Sequence, residues 1–219
     1  MHAFTHSSPS PSPAQTNGLL IRWASFYDTV VSIMTLGQAQ RLRNMTIDQS
    51  LLKPGENLLD VGCGTGGVTI PGKKRIGLNG KAVGIDPSPE MIAVAQKKAA
   101  RKKLDIDFRL GVIESLPFPD ASIDVVTSSL MMHHLPEDLK VRGLAEIYRV
   151  LKPGGRLLIA DFMRPTGSFI NHLFIAFTRH QGLKNGIEDL RKFLNDAGFT
   201  QVIQPDGNVL VIGFVRAVK

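Results

Sequence analysis

The sequence is poor in the residues that would mark a disulfide-bonded, metal-binding or membrane-spanning protein. Its 219 residues include one cysteine, Cys63, which excludes a disulfide framework and any cysteine-cluster metal site. No His, Asp or Glu spacing matches a metal-ligand set either. A lone cysteine fits a reducing, cytosolic setting, so a cytoplasmic location is the expectation. Apolar runs are short, and none reaches the ~18 residues that read as a membrane span. The first 18 residues hold no Lys or Arg and lack the basic start and apolar centre of a secretory signal. Aromatics make up 6% of the chain and do not interleave with its basic clusters, Lys73-Lys74-Arg75 and Lys97 to Lys103. Although the net charge is +7, those clusters therefore read as solvated helix faces and not as a nucleic-acid platform. A mild attraction to anionic membrane surfaces stays open.

What is present is organised as one domain behind a tail. Residues 1–18 are Ser/Pro-rich, cannot bury a core and are expected to be disordered. From Leu19 to about Leu52, Leu20, Trp23, Phe26, Tyr27, Val30, Ile33 and Met34 recur at spacings of three and four, the helical period, and Gly37 separates two helices. Strands are predicted at Asn57–Val61, Ala82–Ile85, Ile106–Leu110, Ile123–Ser128 and Arg156–Ala160. Helices are predicted at Pro89–Lys103 and Glu137–Leu151, the latter stopped by Pro153-Gly154-Gly155. This alternation implies an α/β fold, a parallel sheet with helices on both faces. The ending differs: a helix over Gly186–Ala197, then strands Phe199–Gln204 and Asn208–Val218 joined tightly through Pro205-Asp206-Gly207, which makes an antiparallel pair. The expected architecture is thus a three-layer αβα, Rossmann-like sheet, mostly parallel, with one antiparallel strand near the edge. Between the fifth strand and the last helix, residues 162–185 contain an almost wholly apolar stretch, Ser168 to Phe177. It reads either as a helix buried on the domain or as a lid and apolar wall over a substrate.

The segment that locates a site is Leu58-Leu59-Asp60-Val61-Gly62-Cys63-Gly64-Thr65-Gly66. A buried strand ends in an acid and breaks into glycines, where backbone can approach a ligand at the carboxyl edge of a parallel sheet. Gly62, Gly64 and Gly67 satisfy G-x-G-x-x-G, and Asp86 ends the next strand at the distance of a ribose-binding acid. That pattern alone fits a dinucleotide as well as any other ribose-bearing cofactor. Three features weigh against the dinucleotide. Asp60 would repel a pyrophosphate, and a carboxylate there suits an ammonium or orients loop amides. Pro71-Gly72 falls early in the following helix, which weakens a phosphate-binding helix start. The antiparallel ending is not the dinucleotide pattern.

On these motifs the chain resembles the class I S-adenosylmethionine-dependent methyltransferases, and among them the branch of ubiquinone/menaquinone C-methyltransferases and phospholipid N-methyltransferases. The resemblance runs from about Trp23 to the C-terminus. It makes Leu58–Gly66 the first motif, with Asp60, Gly62, Cys63 and Gly64 around the cofactor's methionine end. Val83-Gly84-Ile85-Asp86-Pro87-Ser88 is the second, with Asp86 on the ribose and Pro87, Ser88 and Met91 beside the adenosine. Gly111 to Phe118 is the third, and Leu151 to Leu157 closes the core. Residues 53–219 would form the cofactor-binding core, and 19–52 would fold over the site, bringing Tyr27 to it. The third motif departs from the family: its usual adenine-binding aspartate is Val112 here. Two readings stand, Glu114 in that role or adenine held by backbone groups of Val112 and Ile113.

The resemblance implies S-adenosylmethionine as cofactor and S-adenosylhomocysteine as product. Methyl transfer from a sulfonium needs alignment and exclusion of water, and a base only where the acceptor must lose a proton. The fourth strand ends in Thr127-Ser128-Ser129 and runs into Leu130-Met131-Met132-His133-His134-Leu135. Ser129 belongs to the cofactor side, and Met131 gives an adaptable apolar wall. His133 or His134 acts as a base, or one caps the next helix while the other packs. Asp161 either faces the acceptor or orients a loop amide. The acceptor is expected to be small and apolar, such as a quinone precursor, with no nucleic acid and with peripheral membrane contact through a lipid-like substrate. The alternatives are a non-catalytic nucleoside-binding domain, an NAD-dependent oxidoreductase and an RNA methyltransferase.

Overall fold

The computed structural model describes residues 24–164 and 186–219, excepting the side chains of 24 and 25. The expected tail and the apolar stretch from Ser168 to Phe177 lie outside the described residues. Two helices, α1 (Ala24–Met34) and α2 (Ala39–Gln49), precede an alternating core. It runs β1 (Leu58–Val61), α3 (Thr69–Ile76), β2 (Ala82–Asp86), α4 (Pro89–Arg101), β3 (Asp107–Leu110), β4 (Ile123–Ser129), α5 (Glu137–Val150) and β5 (Leu151–Phe162). The chain ends with α6 (Leu190–Asp196), β6 (Thr200–Ile203) and β7 (Ile212–Val218). The break between α1 and α2 falls at Gly37, whose φ of +79° is a left-handed conformation that ends the first helix cheaply.

The seven strands form one sheet in the order β3-β2-β1-β4-β5-β7-β6. β4 sits at its centre, and β1 beside it pairs in parallel with β2 (Leu59 opposite Val83) and β4 (Leu59 opposite Val126). β7 is antiparallel to both β5 and β6, one place in from the edge. All four residues of β1 are buried, because helices cover both faces, and this is why the strand reads as a continuous apolar run ending in Asp60 and Val61. On one face α5 and α6 close the larger core, where Leu144, Ile147 and Val150 meet Leu59, Val126, Leu157 and Ile159. On the other, α2, α3 and α4 pack through Ile47, Ile76, Ile92 and Ala95. No helix among the described residues is long and apolar enough to cross a membrane.

Three local features differ from expectation. β5 starts at Leu151, immediately after α5, and Pro153-Gly154-Gly155 form an irregularity within it, where the pairing with β4 shifts between Ile123 and Val125. The helix expected over Gly186–Ala197 begins as a 3₁₀ turn, Ile187–Asp189, before α6. The β6–β7 connection is also longer than a tight turn: β7 begins at Ile212, and Val209 bridges back to Ile212 before the strand starts. Leu210, at φ +55°, turns the chain there.

Two residues of α5 test the layering. Leu144 is fully buried in the larger core, whereas Val141 is 54% exposed. Leu144→Ala should lower unfolding free energy by about 2–5 kcal/mol, and Val141→Ala should stay within about 0.5 kcal/mol of the parent, both measured by urea denaturation.

Candidate functional site

The carboxyl ends of β1, β2, β3 and β4 open on a cleft of about 710 Å³, part of it exposed to solvent. Strands lie ~4.8 Å apart, so four neighbouring strand ends span ~14 Å, room for an extended nucleoside. The order of strands sets the order of parts along it. Gly111 to Glu114 after β3 stand at one end, followed by Ile85-Asp86-Pro87 and then the turn after Val61. Leu130, Met131, His134 and Leu135 after β4 stand at the other end. Tyr27 of α1 and Met91 of α4 complete the walls.

Asp86 is the organising acid. Gly64 N–H donates to its Oδ2 and Ser88 N–H to its Oδ1, each at 2.9 Å. Both oxygens retain lone pairs for a ligand's hydroxyls. Burial pushes its carboxyl above the usual range, against the pull of those two amides. The turn that supplies Gly64 needs glycine. Gly64 has φ +52°, and at Gly62 (φ +71°) a Cβ would lie 2.5 Å from Met131 Cγ. The first glycine therefore lets the acceptor-side methionine press onto the turn.

Asp60 is 1% exposed and accepts hydrogen bonds from Thr69 Oγ1 (2.6 Å) and Thr127 Oγ1 (2.9 Å). Burial raises its carboxyl to about 6 despite both threonines. With Cys63 and Ser129 it lines a smaller pocket beneath α1, next to the main cleft. Ser88 lines neither. It caps α4, accepting from Met91 N–H at 3.2 Å while its hydroxyl donates to Glu90, and so acts on the cleft only by fixing Asp86 and Met91.

The two histidines separate. His133 is pinned: its ring Nδ1 lies 2.6 Å from Asp161 Oδ1, and its backbone N–H donates to Asp161 Oδ2 at 3.1 Å. Asp161 also accepts from Phe162 N–H. Burial would raise this carboxyl, but His133 holds it below the usual range. Asp161 therefore orients a loop amide and an imidazole and does not line the cleft. His134 does line it, and burial, followed by the neighbouring charge of His133, lowers its imidazole to about 4. Neither histidine caps α5, whose N-cap is Pro136.

Tyr27 faces the cleft, with its phenol pushed up to about 12 by burial and then by the charges of Asp86, Asp28 and Asp161. Its neighbour fastens the helix: Asp28 bonds Lys98 Nζ of α4, Arg43 Nη2 of α2 at 2.8 Å and Thr65 Oγ1 at 3.1 Å. Burial works against the Asp28 charge, and the Lys98 hydrogen bond and charge, then Arg43, hold its carboxyl low. The loop after β3 has a fastening of its own. Arg149 of α5 donates to the carbonyls of Leu116 and Phe118 and to Asp120 and Glu146, while Leu116 N–H donates to Glu146. Residue type does not single out these anchors, because all their partners but Glu146 lie about 15 to 70 residues away along the chain. Val61, Ile85, Gly111, Leu130 and Leu135 also line the cleft, and what marks them is only their place beside a motif residue.

The site fits S-adenosylmethionine better than a dinucleotide. No Lys or Arg is among the described residues lining the main cleft, where Asp86 lies; the smaller pocket beside it holds Asp60, with Arg43 there paired to Asp28. That charge balance suits a cofactor with a sulfonium and an ammonium and offers nothing to a pyrophosphate. Comparisons agree. A family described as a methyltransferase domain matches residues 58–155. The demethylmenaquinone methyltransferase of Symbiobacterium thermophilum is 33% identical over 172 residues, 78% of this chain and 68% of that protein. The arsenite methyltransferase of Halobacterium salinarum is 36% identical over 155 residues, 69% of this chain and 39% of that protein. A crystal structure of a SAM-dependent methyltransferase from Aquifex aeolicus has a TM-score of 0.69 at 24% identity, covering 89% of this chain and 97% of that one; at that identity the likeness is one of fold.

The shielding of His134 has a thermodynamic consequence. Its imidazole is neutral in the folded protein down to about pH 4, whereas the unfolded chain takes up that proton near pH ~6.5. Between these values the unfolded state binds more protons, so stability falls as pH falls. From pH 7 to pH 5 the parent should lose more unfolding free energy than His134→Leu. Equal losses in urea titrations at the two pH values would show that the imidazole is not shielded.

Proposed function

This chain belongs to the class I S-adenosylmethionine-dependent methyltransferases, and from that premise we propose that it methylates a small, apolar, quinone-precursor-like acceptor, releasing S-adenosylhomocysteine. One observation carries the proposal: a single cleft joins the Asp86 carboxylate to a wall made of Leu130, Met131 and Leu135, with His134 as the polar group set in that wall. The cofactor, when bound, supplies a methyl group on a sulfonium, an already activated leaving group. Asp86 would hold the ribose hydroxyls, with its orientation fixed by Gly64 and Ser88. The Gly62–Gly64 turn and Asp60 would take the amino-acid end, and Tyr27 would cover it.

The protein's share of the chemistry is placement and dryness. Met131 packs against Gly62, so the acceptor wall and the cofactor turn are in direct contact. Leu130 and Leu135 exclude water beside it. The Asp161–His133 pair fixes the 3₁₀ turn Met132–His134, and so sets the angle at which His134 meets the cleft. An imidazole lowered to about 4 is unprotonated at neutral pH. It is a weak base, and a weak base suffices where the acceptor's proton becomes strongly acidic only as the new bond forms.

An arsenite acceptor, as in the name of the Halobacterium relative, is less well served. Soft ions are held by thiolates, and the one cysteine, Cys63, is 6% exposed, with its thiol pushed well up by burial and by Asp60 and Asp86. We also place the protein in the cytoplasm, with peripheral contact at the membrane where a lipid-like acceptor resides and without a nucleic-acid partner.

The proposal is tested with S-adenosylmethionine labelled at the methyl group and a bacterial lipid extract. The expected result is label in the apolar fraction. Label in RNA and none in lipid would overturn the acceptor class. In calorimetry Asp86→Ala should weaken S-adenosylmethionine binding by about tenfold or more, the worth of hydrogen bonds to a charged acceptor. An unchanged dissociation constant would remove Asp86 from the ribose.

A further inference from the structure

We propose that the outer face of α1 is a docking surface for an anionic lipid bilayer, and that it seats the cleft against the membrane in which the acceptor resides. This rests on the reading of the acceptor as lipid-like and names the surface through which the protein meets it.

The inference starts from an apolar face that stands open. Phe26, Ile33 and Leu36 are 69%, 68% and 74% exposed. Phe26 and Ile33 lie on one face of α1, with the half-buried Val30 between them at the helical spacings of four and three. Leu36 continues the stripe in the turn before Gly37. The other exposed large apolar side chains, Leu78, Leu110 and Val141 among them, fall singly on separate elements, which is ordinary for a protein surface. The charged residue of α1, Asp28, is turned away from the stripe toward Lys98, Arg43 and Thr65. α1 therefore presents apolar side chains to solvent on one side, while Tyr27 faces the cleft on the other.

Charge indicates what covers the stripe. Lys98, which bonds Asp28 of α1, shares a row of α4 with Arg101 and Lys102, three and four residues on. Both are exposed, so the row continues beside α1 as free cationic surface. Residues 97–105 hold five Lys or Arg and one acid, Asp105, in a chain of net charge +7. An uncharged apolar stripe flanked by Lys and Arg is the composition of a helix that lies in the interface of an anionic bilayer. A nucleic acid would meet the same cations but gains nothing from Ile33 and Leu36, and Phe26 alone is no stacking platform. Position agrees. Tyr27 and Val31, on the opposite side of α1, line the cleft and the smaller pocket beside it. A helix with its side chains is ~10 Å across, so a bilayer on the outer face lies about one helix from the cleft.

The test measures vesicle binding, independent of any methyl acceptor. The full chain is sedimented with vesicles of phosphatidylcholine and with vesicles that also contain phosphatidylglycerol. The parent should bind the anionic vesicles, and less so at high salt. The double variant Phe26→Ser, Ile33→Ser should lower that partitioning by about tenfold or more, from the apolar area it withdraws. The double variant Arg101→Gln, Lys102→Gln should lower it by about fivefold or more on anionic vesicles and leave neutral vesicles unaffected. Both variants change exposed side chains, so both should titrate with S-adenosylhomocysteine as the parent does, which shows that they are folded. A stripe variant that partitions like the parent would overturn the docking surface. So would a parent that ignores vesicles and is a dimer in sedimentation velocity, with the stripe variant a monomer, because the stripe then belongs to a second copy. Vesicle binding through the stripe with no methyl label in the lipid would overturn the acceptor class while sustaining the docking surface.

Discussion

The Asp86 carboxylate accepts the Gly64 amide on one oxygen and the Ser88 amide on the other, and so ties the end of β2 to the turn after β1 and to the start of α4. The two bonds do different work. The first fixes the glycine turn at the height of the strand ends. The second sets the N-terminus of α4, which Ser88 also caps through Met91. Because Asp86 is 9% exposed, its charge is held in a poor solvent, and burial raises its carboxyl. Two hydroxyl donors from a ribose would relieve that cost, so the same burial that burdens the free protein favours the ligand. Asp60 obeys the same logic. Its charge is kept in place by two threonine hydroxyls and still sits at about 6, so a cationic ligand nearby is favoured by both acids together.

Around this rigid edge the walls are fastened in two ways. The loop after β3 is held by Arg149, a planar fork that meets carbonyls and carboxylates in fixed directions, and by Ile113 under Gly143. α1 is held by charge as well as by packing of Val31 and Met34. Asp28 gathers Lys98, Arg43 and Thr65, and the three charged side chains are between 25% and 38% exposed. Partly exposed ion pairs contribute little each and weaken with salt. The ion pairs of Arg149 are exposed to a similar degree, so buried contacts share the work at both walls, Ile113 under Gly143 at one and Val31 of α1 at the other.

Much of this could be read from the residues alone, for physical reasons. A strand buried on both faces is mainly apolar, so Leu58-Leu59 of β1, Val125-Val126 of β4 and the second half of β5 stand out from their surroundings. The left-handed glycines mark the turns because few other residues tolerate them, and Gly37 separates α1 from α2 where the helical spacing breaks. The motif acids and glycines fall around the cleft because they sit at strand ends, and strand ends are where this architecture binds ligands. What stayed hidden depends on distance in space alone. The Asp28 and Arg149 networks join segments with no shared pattern. The start of β7 is set by Val209 folding back on Ile212, a pairing that Pro205-Asp206-Gly207 does not announce. Asp60 looked like a ligand acid, and only its threonine partners show how much of its hydrogen-bonding capacity is already used.

The pair His133-His134 shows why residue type cannot decide chemistry. Two identical side chains in succession have the same intrinsic basicity and nearly the same position after β4. A 3₁₀ turn rotates successive residues by a third of a circle, and that rotation separates their fates. It directs one imidazole to a buried carboxylate, 2.6 Å away, and the other to the cleft. The first gains a carboxylate that fixes its orientation. The second loses solvent and gains only a ring 3.9 Å away, so it is held neutral. The pinned histidine thus contributes to the free one twice, by fixing the turn that aims it and by discouraging its protonation. A base that remains unprotonated in an apolar wall is the state a proton-losing acceptor requires, and here it is produced by the neighbour and the fold together, from two residues the sequence presents as equals.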